Sequence, residues 1–308
     1  MQPEMRVLAR RWHPAKLVGV AIFVFGLLGI FAHVAQPQES SELAATPLAV
    51  QSGPLGGVTS SVQNPLQIAL LHWYAANVTT QFTTGNGPNG VAFDGASIWV
   101  CNNGSNNVTK LRASDGANLG SFPVGTNPIA VAFDGAQIWV ANINSANVTK
   151  LRASDGSVLG TFSVGTQPAA LAFDGANIWV ANNGSNNVMR MNTSGTVVGT
   201  FNVGTEPGGI AFDGTNIWVG NFGSNNVTKL SGSGTVLGTI AAGSGPSGVV
   251  YDGANIWVTD FNSNTVVKLS KSGGNLGTFT VGSTPAGAAF DGAHIWVTNF
   301  GSTTVSKL

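Results

Sequence analysis

Few residues of this 308-residue chain could do chemistry, and most of those recur at a fixed interval. Six carboxylates stand in the same local context, F-D-G or Y-D-G: Asp94, Asp134, Asp174, Asp213, Asp252 and Asp291. Six tryptophans follow them at one spacing: Trp99, Trp139, Trp179, Trp218, Trp257 and Trp296. A ring of carboxylates could bind a cation, and a ring of indoles could stack on a ligand. A plainer chemistry fits both sets better. An aspartate before glycine opens a tight turn and accepts local backbone bonds, while a mid-strand tryptophan fills a core. No D-x-D-x-D-G loop, phosphate loop, Ser-His-Asp set or H-E-x-x-H occurs. The single cysteine, Cys101, takes a place held elsewhere by Ala, Gly or Thr, which reads as a small buried residue rather than a nucleophile. No metal site or cofactor is expected.

Special chemistry must therefore come from residues that break the repeat. After the asparagine that follows each tryptophan (Asn102, Asn142, Asn182, Asn221 and Asn299, with Asp260 in the fifth copy), the copies carry Asn103, Ile143, Asn183, Phe222, Phe261 and Phe300. The three phenylalanines mark an arc over the last three copies. Exposed, they are a recognition patch; folded down on their neighbours, they close the tops of the modules. Glu206 is the only charged residue among Gly87, Asn127, Gln167, Glu206, Gly245 and Thr284, the residues before or near the copy-opening proline. The candidate ligand-binding residues are thus Phe222, Phe261, Phe300, Glu206, Asn103 and Asn183, with no catalytic residue among them.

The elements that hold these residues follow from the period. Phe93, Phe133, Phe173, Phe212, Tyr251 and Phe290 are spaced by 40, 40, 39, 39 and 39 residues, a period typical of radial β architectures. In the second copy, the stretch from Ile129 to Asp134 alternates as a strand (A), and Asp134-Gly135 turns the chain. Strand B is centred on Ile138–Val140, strand C on Val148–Leu151, and strand D on Leu159–Val164. Four short antiparallel strands per copy make a propeller blade. The copies begin near 88, 128, 168, 207, 246 and 285, so the sequence predicts an all-β, six-bladed propeller over 66–308. The sixth copy ends after its C strand. A D-like segment, Phe82 to Pro88, precedes the first copy, so an N-terminal outer strand is expected to complete the last blade. The D–A and B–C connections share one face, where the candidate residues lie.

The pattern P-x-G-V-A-F-D-G-x-x-I-W-V-x-N-x-x-S-N-N-V-T-K-L (Pro88 to Leu111), followed by L-G-x-F-x-V-G-x-x-P, resembles the YVTN and NHL-type β-propellers and, more loosely, the virginiamycin B lyase group. The lyase resemblance implies a metal-assisted elimination using histidines and a glutamate in the central channel. This chain departs from it: His294, in an A–B turn, is the only histidine inside the copies.

Composition narrows the partners. Thirteen basic and thirteen acidic residues cancel, giving no electrostatic footprint for nucleic acid. Leu17 to Ala35 is an apolar run preceded by Arg6, Arg10, Arg11 and Lys16, which reads as either a retained membrane anchor or a cleaved signal (1–35). Residues 36–65 read as a flexible linker. The N-V-T triplets at Asn77, Asn107, Asn147 and Asn226 fit a glycosylation sequon, but duplication explains their recurrence. The expectation is an exported monomer, periplasmic, on the cell surface or secreted, with membrane contact only through its N-terminal segment. It would act without catalysis, as a binding or scaffold module for a protein, small molecule or glycan. A small-substrate lyase or hydrolase and a purely structural surface repeat are the alternatives.

Overall fold

The computed structural model describes residues 81–308. The anchor or signal, the linker and the apolar stretch at 66–75 lie outside them. The described residues contain strands and turns and no helix, hence no helix long and apolar enough to cross a membrane.

Each repeat folds into one antiparallel sheet. Blade one is β1 (Pro88–Phe93), β2 (Ser97–Asn102), β3 (Asn107–Arg112) and β4 (Asn118–Pro123). Blade two is β5 (Pro128–Phe133), β6 (Gln137–Asn142), β7 (Asn147–Arg152) and β8 (Val158–Ser163). Blade three is β9 (Pro168–Phe173), β10 (Asn177–Asn182), β11 (Asn187–Asn192) and β12 (Val197–Asn202). Blade four is β13 (Pro207–Phe212), β14 (Asn216–Asn221), β15 (Asn226–Ser231) and β16 (Val236–Ala241). Blade five is β17 (Pro246–Tyr251), β18 (Asn255–Asp260), β19 (Thr265–Ser270) and β20 (Asn275–Thr280). Blade six is β21 (Pro285–Phe290), β22 (Ile295–Asn299) and β23 (Thr304–Lys307). The molecule is an all-β six-bladed propeller. Five blades have four strands each, in sequential order.

Local chemistry fixes every blade in the same way. The F-D-G aspartate closes the A–B turn: Asp134 Oδ1 accepts from the backbone N–H groups of Ala136 (2.9 Å) and Gln137 (2.6 Å). Gly135 sits at φ 91°, which a side chain would strain. The other oxygen, Oδ2, accepts the indole N–H of Trp139 at 2.7 Å. The Trp–Asp bond recurs in all six blades at 2.6–2.8 Å. Sequence reading missed it, although a constant D-x-x-x-x-W spacing was there to be seen.

The core lies between blades. Trp99, Cys101 and Val108 of blade one pack on Val131, Ile138, Val140 and Leu151 of blade two. The same exchange joins blades two and three, three and four, and the later pairs. Phe122 of β4 leans on Trp99, with ring centroids 5.7 Å apart, and covers the next blade's Gly156. A Cβ at Gly156 would lie 2.3 Å from that ring, so only glycine fits. Lysines tie the interfaces from outside. Lys110 Nζ lies 5.1 Å from the centre of the Trp99 ring and donates to the Ala153 carbonyl of the next blade at 2.7 Å. Cys101 is fully buried, and burial pushes its thiol far up, as expected of a filler residue.

Blade six has three strands among the described residues. Most of the N-terminal segment expected to complete it precedes residue 81 and lies outside them; Gln81–Thr84 form no strand. Phe82 covers Gly116 of blade one as Phe122, from the outer strand of blade one, covers Gly156 of blade two, and Asn86 N donates to Ser105 Oγ at 2.7 Å as Thr126 N does to Ser145 Oγ at 3.0 Å. Phe82 thus stands toward blade one where a residue of blade six's outer strand would stand. Five neighbouring pairs of inner strands pack side by side, from β1–β5 to β17–β21; no comparable β21–β1 packing exists among the described residues. Trp296 is accordingly 40% exposed and Val305 56%, whereas Trp179 and Val188 are at 0%. A cleft of about 340 Å³ lies along this seam, lined by Ala288, Phe290, Trp296 and Val305.

Candidate functional site

The D–A and B–C connections build one face by a shared bond pattern. The residue after the B-strand asparagine donates its backbone N–H to the carbonyl of the D–A loop residue before or near the copy-opening proline. The pairs are Asn103 to Gly87 (2.9 Å), Ile143 to Asn127 (3.0 Å), Asn183 to Gln167 (2.9 Å), Phe222 to Glu206 (2.9 Å), Phe261 to Gly245 (2.9 Å) and Phe300 to Thr284 (3.0 Å). Six variable side chains are therefore held at equivalent places on one rim.

The structure brings the three phenylalanines into one row. The Phe222 and Phe261 rings meet edge to face at 5.9 Å, and Phe261 and Phe300 follow at 6.3 Å. Phe222 and Phe261 are half-buried; Phe300 is 40% exposed. Phe222 also leans on its neighbour's loop, where a Cβ at Gly245 would lie 3.0 Å from its ring. The rings brace adjacent loops and keep an accessible edge. Glu206 is exposed and lies at the start of the row, its carboxylate against Gly223. Asn183 Nδ2 reaches the Pro207 carbonyl at 3.4 Å, next to Glu206. Asn103 does not join this group. Its amide donates to Asn127 Oδ1 within blades one and two.

Glu206 sits at φ 53°, in the left-handed region. The same place holds Gly87, Asn127 and Gly245 in other blades, types that tolerate this backbone. Its own N–H is held by Asn186 Oδ1 at 2.8 Å.

The B-strand asparagines, placed at the ends of strands where a turn cap would stand, are core residues instead: Asn102, Asn142, Asn182 and Asn221 are fully buried. Asn102 Nδ2 donates to Asn107 Oδ1 (2.7 Å) and Thr109 Oγ1 (2.8 Å), pinning strand B to strand C. In blade five the residue is Asp260, also fully buried, with Oδ2 accepting from Thr265 Oγ1 at 3.2 Å. Burial pushes its carboxyl up to about 7. It lies sealed beneath Gly243, with its carboxylate against that loop.

The distribution of charge over the molecule is one-sided. Among the described residues, every lysine and arginine stands on a C strand or in a C–D turn. Every aspartate but Asp260 stands in an A–B or C–D turn. Glu206 is the one exposed charge on the D–A/B–C face. His294 lies on the opposite side, in an A–B turn 3.5 Å from Asp291. Among the described residues, no three His, Cys, Asp or Glu side chains group closely enough to hold a metal ion.

No family model matches the chain, and no curated relative matches it. Its fold does have solved counterparts. A streptogramin B lyase structure aligns with TM-score 0.65 at 16% identity, covering 73% of this chain and 80% of that one. A catalytically inactive variant of virginiamycin B lyase from Staphylococcus aureus, with quinupristin, aligns with TM-score 0.62 at 18% identity, covering 70% and 78%. Hydrazine synthase of Kuenenia stuttgartiensis aligns with TM-score 0.52 at 17% identity, covering 75% and 98%. Identities this low establish a shared propeller fold and nothing about activity.

Proposed function

We propose that the propeller is a non-enzymatic binding module working through its D–A/B–C face. The observation that carries this reading is the row Phe222–Phe261–Phe300, where the D–A/B–C face gives up the repeat's sameness for accessible aromatic surface. Glu206 and Asn183 flank the row and supply polar contacts. Asn103, bonded to Asn127, holds a loop rather than a ligand. The repeat's likeness to YVTN and NHL-type propellers supports a rigid disc that presents loops. The apolar run at 17–35 supports export, with the disc outside the membrane, anchored or released.

The lyase alternative needs titratable groups converging on the channel mouth. Glu206 is on the rim and Asp260 is sealed within a blade, so they do not form such a pair.

The test replaces Phe222, Phe261 and Phe300 together by serine. The reading expects near-normal circular dichroism and melting with loss of ligand capture from the extracytoplasmic fraction of the source cells. Unfolding of the triple variant would make the row a core element and end the reading.

A further inference from the structure

We propose that the ligand of this face is a neutral polysaccharide. The inference rests on the binding-face reading above and names its ligand class.

Charge is the first argument. The face carries one exposed carboxylate and no cation among the described residues, while the lysines and arginines all lie on the C strands and C–D turns. A nucleic acid or an acidic glycan is held by cations neutralising its charge, and none is offered here. A protein partner of ordinary composition is steered and registered by complementary charges, and one glutamate supplies little of that. What remains is a ligand without charge.

Side-chain chemistry is the second argument. Three aromatic rings run in a row over three blades, at 5.9 and 6.3 Å between centroids. Along them stand exposed amides and hydroxyls: Thr205, Asn262 and Ser283. Asn262 follows Phe261 in sequence, and its amide lies near the Phe222 ring, both bordering Gly245. A pyranose has this same division, with C–H groups on its faces and hydroxyls around its edge. Its apolar face fits against a phenyl ring, and its hydroxyls both donate to and accept from amides and hydroxyls. A row of rings suits successive sugars of a chain better than a single small molecule, and repeated weak contacts on one chain add up.

Geometry is the third. The rings are braced by one another and by backbone bonds from Phe222, Phe261 and Phe300 to their D–A loops. A rigid aromatic platform loses little entropy on binding.

Affinity electrophoresis of the full chain tests this, with gels containing xyloglucan, dextran, galactomannan or polygalacturonate. Retardation is expected with at least one of the three neutral polymers and not with polygalacturonate. Phe261→Ala, at the centre of the row, should weaken the retarding interaction about tenfold, and Phe300→Ala, exposed and so safe for folding, about threefold. The inference is overturned if no neutral polymer retards the protein, if polygalacturonate retards it equally, or if both variants migrate as the wild type does. Silence of all polymers, together with phenylalanine-dependent capture of another ligand, would sink the glycan and leave the binding face standing.

Discussion

Asp260 shows what one substitution in a repeat does. The other five blades hold an asparagine there, whose amide donates into strand C; Asn299 Nδ2 meets Thr304 Oγ1 at 3.0 Å in blade six. Asp260 has no hydrogen to give when ionised, and one oxygen, Oδ1, has no partner. Burial lifts its folded carboxyl to about 7, against about 3.9 in an unfolded chain. The folded state therefore favours the protonated acid. Its contribution to stability is full below pH 4 and fades as pH rises through 7. Asp260→Asn should abolish that loss, with a gain on the order of 2 kcal/mol at pH 8 and little change at pH 4. Urea unfolding at the two pH values measures it; equal effects at both would show that Asp260 does not titrate in this window. Its type was legible in the sequence. Its burial was not, because a polar residue after a strand looks like a cap until the loop above it is placed.

At the scale of the element, the B–C turn and the next D–A loop form one unit. Asn106, Asn186, Asn225 and Asn264 adopt left-handed φ and accept the N–H of the D–A loop residue at 2.8 Å. Blade two has Ala146 at φ 49° and lacks that acceptor. Ala146→Asn supplies both a tolerant backbone and the missing bond. It should add about 1 kcal/mol, read as a rise of a few degrees in melting temperature. The A–B turn gives the opposite case. Asp134→Ala would remove two turn bonds and strand the indole N–H of fully buried Trp139. A cost of about 2–4 kcal/mol is expected, against a far smaller one for Asp155→Ala in an exposed C–D turn, where solvent screens the pair with Arg152. These elements were legible because each copy repeats the same turn chemistry, and strand positions followed from it within a residue or two. The asparagine that links two loops was not, because its partner lies about twenty residues away in the next module.

At the scale of the whole molecule, blade number was legible from the count of copies. Whether the last blade meets the first depends on two distant segments and on no local signal. Phe82 stands against Gly116 of blade one as Phe122 stands against Gly156 of blade two, and blade six has three strands among the described residues. The seam has a measurable energetic consequence. Trp179 is wholly enclosed between blades three and four, among Ile210, Ile217 and Val219. Trp296 occupies the same place in blade six, but among the described residues no blade packs on its far side, and it is 40% exposed. Removing an enclosed indole costs about 3–5 kcal/mol in lost burial and cavity. Removing one that already faces solvent should cost about half of that or less, since less apolar area leaves water on folding. Because repeat arrays can unfold in parts, the comparison belongs in matched chemical-denaturation curves of Trp179→Ala and Trp296→Ala followed by circular dichroism. Near-equal losses would mean that the sixth blade is enclosed in solution as fully as the third, and that the ring does shut between blades six and one.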